Sequence, residues 1–223
     1  NTDGSPNKEN LGGNVILAVS IACCIASANS KNKLLYEHIK EISKLKFSKF
    51  SMPIPLFNII NGGKHADSNL PFQEFMIIPT ATNSLHDKLM IGSKIYQQLK
   101  TDLQKLKYAV SVGDEGGFAP KLDSNEMAIE LIMKAIEKAG YKAGKQISLA
   151  LDVAATEFYK NGKYELKSEG KSKSADEMIA WYEELVNKYP IISIEDGLAE
   201  DDWDGWKGLT DRLGGKITSA RKM

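Results

Sequence analysis

Net charge, cysteine and long apolar runs are all scarce in this chain, and each scarcity removes a class of function. Among 223 residues, Lys and Arg number 29 and Asp and Glu number 29, so the formal net charge is zero. A balanced surface offers no field to draw in nucleic acid or an anionic membrane. The two cysteines, Cys23 and Cys24, are adjacent, a poor geometry for bridging each other and no metal spacing. Without a signal peptide, this usage points to a reducing cytosol. No apolar stretch reaches the roughly 18 residues of a membrane span; the longest, residues 15–28, is shorter, follows Asn14 and contains Ser20. Internal repeats and low-complexity tracts are also missing. What is present, 42% hydrophobic and 26% charged residues, suits one globular domain or a large piece of a bigger protein.

Both ends read as interrupted. The chain starts at Asn1, without Met, in a polar segment that leads straight into a helix. After the helix stop Gly214-Gly215 an apolar strand is expected, yet the sequence runs Lys216-Ile217-Thr218-Ser219-Ala220-Arg221-Lys222-Met223. The expectation is a fragment at both ends.

The pattern changes near residue 50. Residues 11–28 form a small-residue helix, and 33–45 a second, amphipathic one with Leu34, Leu35, Ile39 and Ile42 on one side. From Met52 the chain reads differently: a strand over 54–60, a turn at Asn61-Gly62-Gly63, then a strand over 72–78 closed by Pro79. Helices over 84–107 and 124–139 follow, with a glycine-rich loop between them. Strand 146–153, helix 174–188, strand 190–194 and helix 201–213 then alternate. Alternation of apolar strands with helices predicts an α/β fold with a parallel sheet and right-handed crossovers.

Acids mark the strand ends. One strand runs into Asp152 and the next into Glu195 and Asp196, and residues just past the carboxyl ends of parallel strands face the ligand crevice of an α/β sheet or barrel. Oxygen ligands of this kind suit Mg²⁺, which takes one or two carboxylates and completes its shell with water and substrate oxygens. Helix capping and pairing with lysines explain single acids at such places equally well. Glu115 lies between glycines in Val112-Gly113-Asp114-Glu115-Gly116-Gly117, where the backbone can approach a ligand closely, although such a loop also reads as a plain turn. Glu74 interrupts an apolar strand beside Gln73, and a charge there is costly unless paired or used. His65, in Asn61-Gly62-Gly63-Lys64-His65-Ala66-Asp67, reads as a ligand-loop histidine or an ordinary surface one. Spacing alone supports an acid-rich metal site on an α/β scaffold.

Several segments, in order, resemble the enolase family: Leu11-Gly12-Gly13-Asn14-Val15-Ile16-Leu17, the run from Met52-Pro53-Ile54-Pro55 through Asn61-Gly62-Gly63-Lys64-His65-Ala66, Gln73-Glu74-Phe75-Met76, the Glu115 loop through Phe118-Ala119-Pro120, Leu149-Ala150-Leu151-Asp152-Val153-Ala154-Ala155, and Ser193-Ile194-Glu195-Asp196-Gly197 onward to Trp203. The resemblance implies residues 1–50 as the carboxyl-terminal part of the family's α+β N-terminal domain. It implies residues 51–223 as the first half of an enolase-type TIM barrel that opens ββαα before settling into βα units. It further implies a cytoplasmic, homodimeric or larger lyase with Mg²⁺ as cofactor, the cell surface being a second location for some members. The reaction implied is the reversible dehydration of 2-phosphoglycerate to phosphoenolpyruvate. Enolase-superfamily sites use a lysine or histidine base with one or two Mg²⁺ ions.

By the same resemblance Glu115 corresponds to the acid that protonates the departing 3-hydroxyl, and Glu74 to the carboxylate that assists it. Asp152 and Glu195 correspond to two of three Mg²⁺ ligands, His65 to a mobile-loop histidine near the phosphate, and Gln73 to a substrate contact. The family's third metal ligand, base lysine and phosphate-holding residues fall on strands beyond Lys216, and its serine loop falls before Asn1. Activity is therefore expected of a full-length parent, with the 223 residues alone inactive and prone to aggregate through unpaired strand edges. The alternatives are a non-catalytic binding fragment and another Mg²⁺-dependent enzyme of the enolase superfamily; the latter would lack the 61–66 and Glu115 loops.

Overall fold

A computed structural model of the chain describes residues 2–6, 8–44, 46, 49–166 and 169–220, with the side chains of His65 and Ala220 outside the description. The chain divides into two compact units, Asn1–Ser51 and Met52–Met223.

The first unit holds helices α1 (Gly13–Ser30) and α2 (Leu35–Ser43). Helix α1 begins later than the apolar pattern suggests because Gly12 has φ +79°, outside helical geometry. With Gly13-Asn14 and Asn29-Ser30 also helical, α1 is long and apolar enough to cross a membrane by length and composition, which the run 15–28 is not. Helices of soluble domains and signal sequences meet the same measure. The N–H of Leu34 donates to the Glu37 carboxylate 3.1 Å away at the start of α2. Lys44, left-handed at φ +55°, ends it before Leu45, which lies outside the described residues.

The second unit runs β1 (Phe57–Asn61), β2 (Glu74–Pro79), α3 (Leu85–Lys105), α4 (Asn125–Lys138), β3 (Ile147–Asp152), β4 (Tyr159–Lys160), β5 (Lys163–Leu166), β6 (Lys171–Lys173), α5 (Ala175–Lys188), β7 (Ile191–Glu195), α6 (Trp203–Leu213) and β8 (Thr218–Ala220). Five strands form an open sheet in the order β1-β2-β3-β7-β8, a partial barrel with the ββαα opening. The strands of the alternating part are parallel as expected, β3 with β7 and β7 with β8, while the opening strands are antiparallel, β1 with β2 and β2 with β3, so the sheet as a whole is mixed. Two consecutive strands at the start, with no crossover helix between them, force that antiparallel pairing.

Sequence and structure differ mostly at element ends. Strand β1 starts at Phe57 because Pro53 and Pro55 lack the ladder donor. Ser84, Ser124 and Ser174 stand just before their helices, accepting bonds from Asp87, Met127 and Glu177 N–H, the usual N-cap service. Asp202 does the same for Gly205 N–H at α6. The three-stranded sheet β4-β5-β6 was not expected from the sequence. Its strands are short and lysine-rich, but Asn161-Gly162, at φ +51° and +79°, is a strong two-residue hairpin signal. Thr218-Ser219-Ala220, which does not read as the apolar strand expected there, nevertheless pairs as β8 with Ser193, Ile194 and Glu195; Arg221, Lys222 and Met223 lie outside the described residues.

Alternation in the sheet creates two faces. Phe75 and Ile77 of β2 and Leu149 and Leu151 of β3 join the main core with α3 to α6, whereas Met76, Ile78 and Ala150 form a small separate cluster. In β7 the register to β3 steps between Leu149–Ile191 and Ala150–Ser193. Ile191 and Ile194 therefore both reach the helical core, while Ser193 and Glu195 stay level with Ala150 and Asp152.

Candidate active site

The second face of the sheet is apolar below and acidic at one end. Register partners run in one line across four strands: Asn61 with Glu74, Glu74 with Asp152, and Asp152 with Glu195. Directly opposed residues present their side chains on the same face, and adjacent strands stand about 4.8 Å apart. Glu74, Asp152 and Glu195 thus form a row of carboxylates at the carboxyl ends of β3 and β7. Asp152 is buried, at 2% exposure. Glu74 is half-buried and shares its face with Met76 and Ile78 two and four residues on, and the strand pairs with β3 without a break.

The main chain leaves β3 and β7 in the same unusual way. Ala154 at φ +48° and Asp196 at φ +49° are left-handed, a conformation that non-glycine residues hold only when their surroundings impose it. The restraints are visible: Asp152 accepts the N–H of Ala154 at 3.1 Å. Val153 N–H donates to Glu195 O and Ala155 N–H to Asp196 O, each at 2.9 Å. Gln73, buried at 8% exposure, donates its N–H to Asp152 O at 3.0 Å and accepts from Gly62 N–H at 2.9 Å.

Glu115 reaches the row from the side. Its loop lies along the outer edge of β1, where Asn61 N–H donates to Phe118 O at 2.8 Å and Phe118 N–H to Ile59 O at 3.1 Å. The Asn61 side chain then donates to Glu115 Oε2 at 3.3 Å and accepts from Gly117 N–H at 3.0 Å and from Asn58 Nδ2 at 2.6 Å. A Cβ on Gly117 would stand 2.7 Å from the side-chain oxygens of both Asn58 and Asn61, so only glycine fits. Tyr96 donates its hydroxyl to Gly116 O at 2.9 Å. Asn61, fully buried, is the hub that the sequence left as part of a turn; its place inside the motif, between a strand and two glycines, was the available signal.

The structure therefore brings Glu74, Asp152 and Glu195 into one row and joins Glu115 to its β1 end. The backbone of His65 lies in a short 3₁₀ turn, Gly63–His65, directly after β1, and its side chain lies outside the described residues. Lys64, on the same turn, forms an ion pair with Glu157, beyond the end of β3. Two carboxylates level on adjacent strands fit a small hard cation, which accepts one or two protein carboxylates. Among the described residues no three histidine, cysteine, aspartate or glutamate side chains converge as a metal cluster.

Two family models match the chain. "Enolase, C-terminal TIM barrel domain" covers residues 49–220 and "Enolase, N-terminal domain" covers residues 1–39.

Proposed function

The chain belongs to the enolase family, and from that premise we propose that the full-length protein is a lyase that reversibly dehydrates 2-phosphoglycerate to phosphoenolpyruvate. The observation that carries this reading is the level row Glu74–Asp152–Glu195 with Glu115 held at its β1 end through Asn61. Asp152 and Glu195, level on adjacent strands, would hold Mg²⁺. When bound, the ion supplies the positive charge that steadies the substrate carboxylate as its charge grows. Glu115 gives a proton to the departing 3-hydroxyl, and Glu74 assists from the adjoining strand. Gln73 contacts the substrate, and the turn carrying His65 closes towards the phosphate. No lysine of this chain is given the role of base.

The test is turnover of 2-phosphoglycerate by purified full-length protein, followed as phosphoenolpyruvate appears. Chelation is expected to abolish turnover and added Mg²⁺ to restore it; no product in the presence of Mg²⁺ would refute the reading. Gly117→Ala should separate catalysis from folding. Displacing Asn61 and Glu115 by a fraction of an ångström or more is expected to slow turnover on the order of 10²-fold, with the protein still folded by circular dichroism. Unchanged turnover would show that the loop's placement is immaterial. The reading includes a homodimer in a reducing cytosol, with which the free thiols of Cys23 and Cys24 accord.

A further inference from the structure

We propose that the buried hydroxyls of Tyr164 and Tyr182 are positioning groups that set the carboxyl end of β7, and with it the direction of Glu195. The proposal rests on the reading of Glu195 as a metal-holding residue.

Both tyrosines are fully buried, and both spend their hydroxyls on one short segment, residues 196–202, which joins β7 to α6. Tyr182, on α5, donates to Gly197 O at 2.7 Å. Tyr164, on β5, donates to Asp202 Oδ2 at 2.7 Å and accepts from Ala199 N–H at 3.0 Å. The two bonds to Tyr164 fix its hydroxyl in direction as well as distance. The same segment is gripped by Trp206, whose indole N–H donates to Ala199 O at 2.9 Å, and by Thr156, whose hydroxyl accepts from Glu200 N–H at 3.0 Å.

The segment needs such restraint because it begins on a left-handed residue. Asp196 at φ +49° turns the chain directly after Glu195, and a non-glycine residue stays there only under constraint. Gly197 adds a close approach: a Cβ would stand 3.1 Å from Ile194 and 3.4 Å from the Tyr182 ring. Asp202 divides its carboxylate between the Tyr164 hydroxyl and the N–H of Gly205 at the start of α6, so one group sets both the turn and the helix that follows. Tyr164 also comes from the β4-β5-β6 sheet inserted after β3, so the insertion ties the exit of the Asp152 strand to the exit of the Glu195 strand. Burial pushes both phenols up from their ordinary values, which keeps them neutral donors.

Removing a group that hydrogen-bonds a metal ligand directly costs about 10- to 100-fold in metal affinity; these hydroxyls act through the main chain beyond Glu195, so the lower end applies. The experiment is Mn²⁺ titration of the full-length protein, read by electron paramagnetic resonance, with thermal unfolding measured on the same samples. Tyr164→Phe and Tyr182→Phe are each expected to weaken Mn²⁺ binding about tenfold. Tyr189→Phe, which deletes a hydroxyl bonded to Glu126 away from the site, is expected to leave it unchanged while lowering the unfolding temperature comparably. Glu195→Gln tests the underlying reading, and unaltered Mn²⁺ affinity in that variant would sink the metal assignment itself. With the Glu195→Gln effect present, wild-type affinity in both Phe variants overturns the positioning role. So does equal weakening by Tyr189→Phe, or failure of either Phe variant to fold, since each would make these hydroxyls general supports of the fold.

Discussion

Replacing Glu115 by glutamine in the full-length protein is expected to slow phosphoenolpyruvate formation by about 10²- to 10⁴-fold, the usual contribution of a positioned proton donor. Glutamine has nearly the same shape and keeps a carbonyl oxygen to accept from Asn61 Nδ2, so the loop should stay on the edge of β1. What the variant lacks is the proton. Glu115 is exposed, and its loop is held by backbone bonds from Phe118 and by Asn61, which predicts a nearly unchanged unfolding temperature. Steady-state turnover with saturating Mg²⁺ decides the matter: a rate within a factor of two of wild type would remove Glu115 from the chemistry.

Phe72→Ala is expected to give the largest loss of stability. The ring has no exposure and packs within 5.3–6.4 Å, centroid to centroid, of Phe75, Phe158, Trp181 and Tyr182. These partners come from β2, the turn after β3, and α5, so no single element can move in to fill the space. Deleting a buried phenylalanine costs about 3–5 kcal/mol, a large part of the 5–15 kcal/mol that separates folded from unfolded domains. The shift is about 2–4 °C per kcal/mol for 150–250 residues and smaller for longer chains, so the unfolding midpoint of the full-length protein should fall by several degrees. Because Phe72 immediately precedes Gln73 and Glu74, turnover should also suffer below that midpoint. A midpoint within two degrees of wild type would mean that the cavity collapses and that the aromatic cluster is not a keystone.

Much of the site could be read from the sequence because its acids end apolar strands. Ile147 to Leu151 is apolar except for Ser148, and the following Asp152 needs no structure to be noticed. The alignment of the acids was hidden, since register is set by main-chain pairing between segments far apart in sequence. The step between Leu149–Ile191 and Ala150–Ser193 also breaks the period of two that would have put Ile191 and Glu195 on one face. Asn61 was read as turn because a short polar residue before two glycines is ordinary turn chemistry; its role emerges only when the Glu115 loop, over fifty residues later, lies against it. Tyr164 lies between strand 146–153 and helix 174–188, where the apolar pattern assigns no element, although Asn161-Gly162 announces its hairpin. The antiparallel start of the sheet was legible in the strand-turn-strand opening over 54–78, where no helix separates the first two strands.

The level row has a consequence for how such a protein can change over time. Each acid stands on a different strand, and main-chain register sets its level. Glu74 and Glu195 stand two strand spacings apart, about 9–10 Å, a separation at which substitutions usually act independently. The two outer positions can therefore be exchanged one at a time, whereas Asp152, one strand spacing from each, is coupled to both. A scaffold of this kind can acquire a new reaction one residue at a time, keeping an intact row of anchors while a single member is tried in another role.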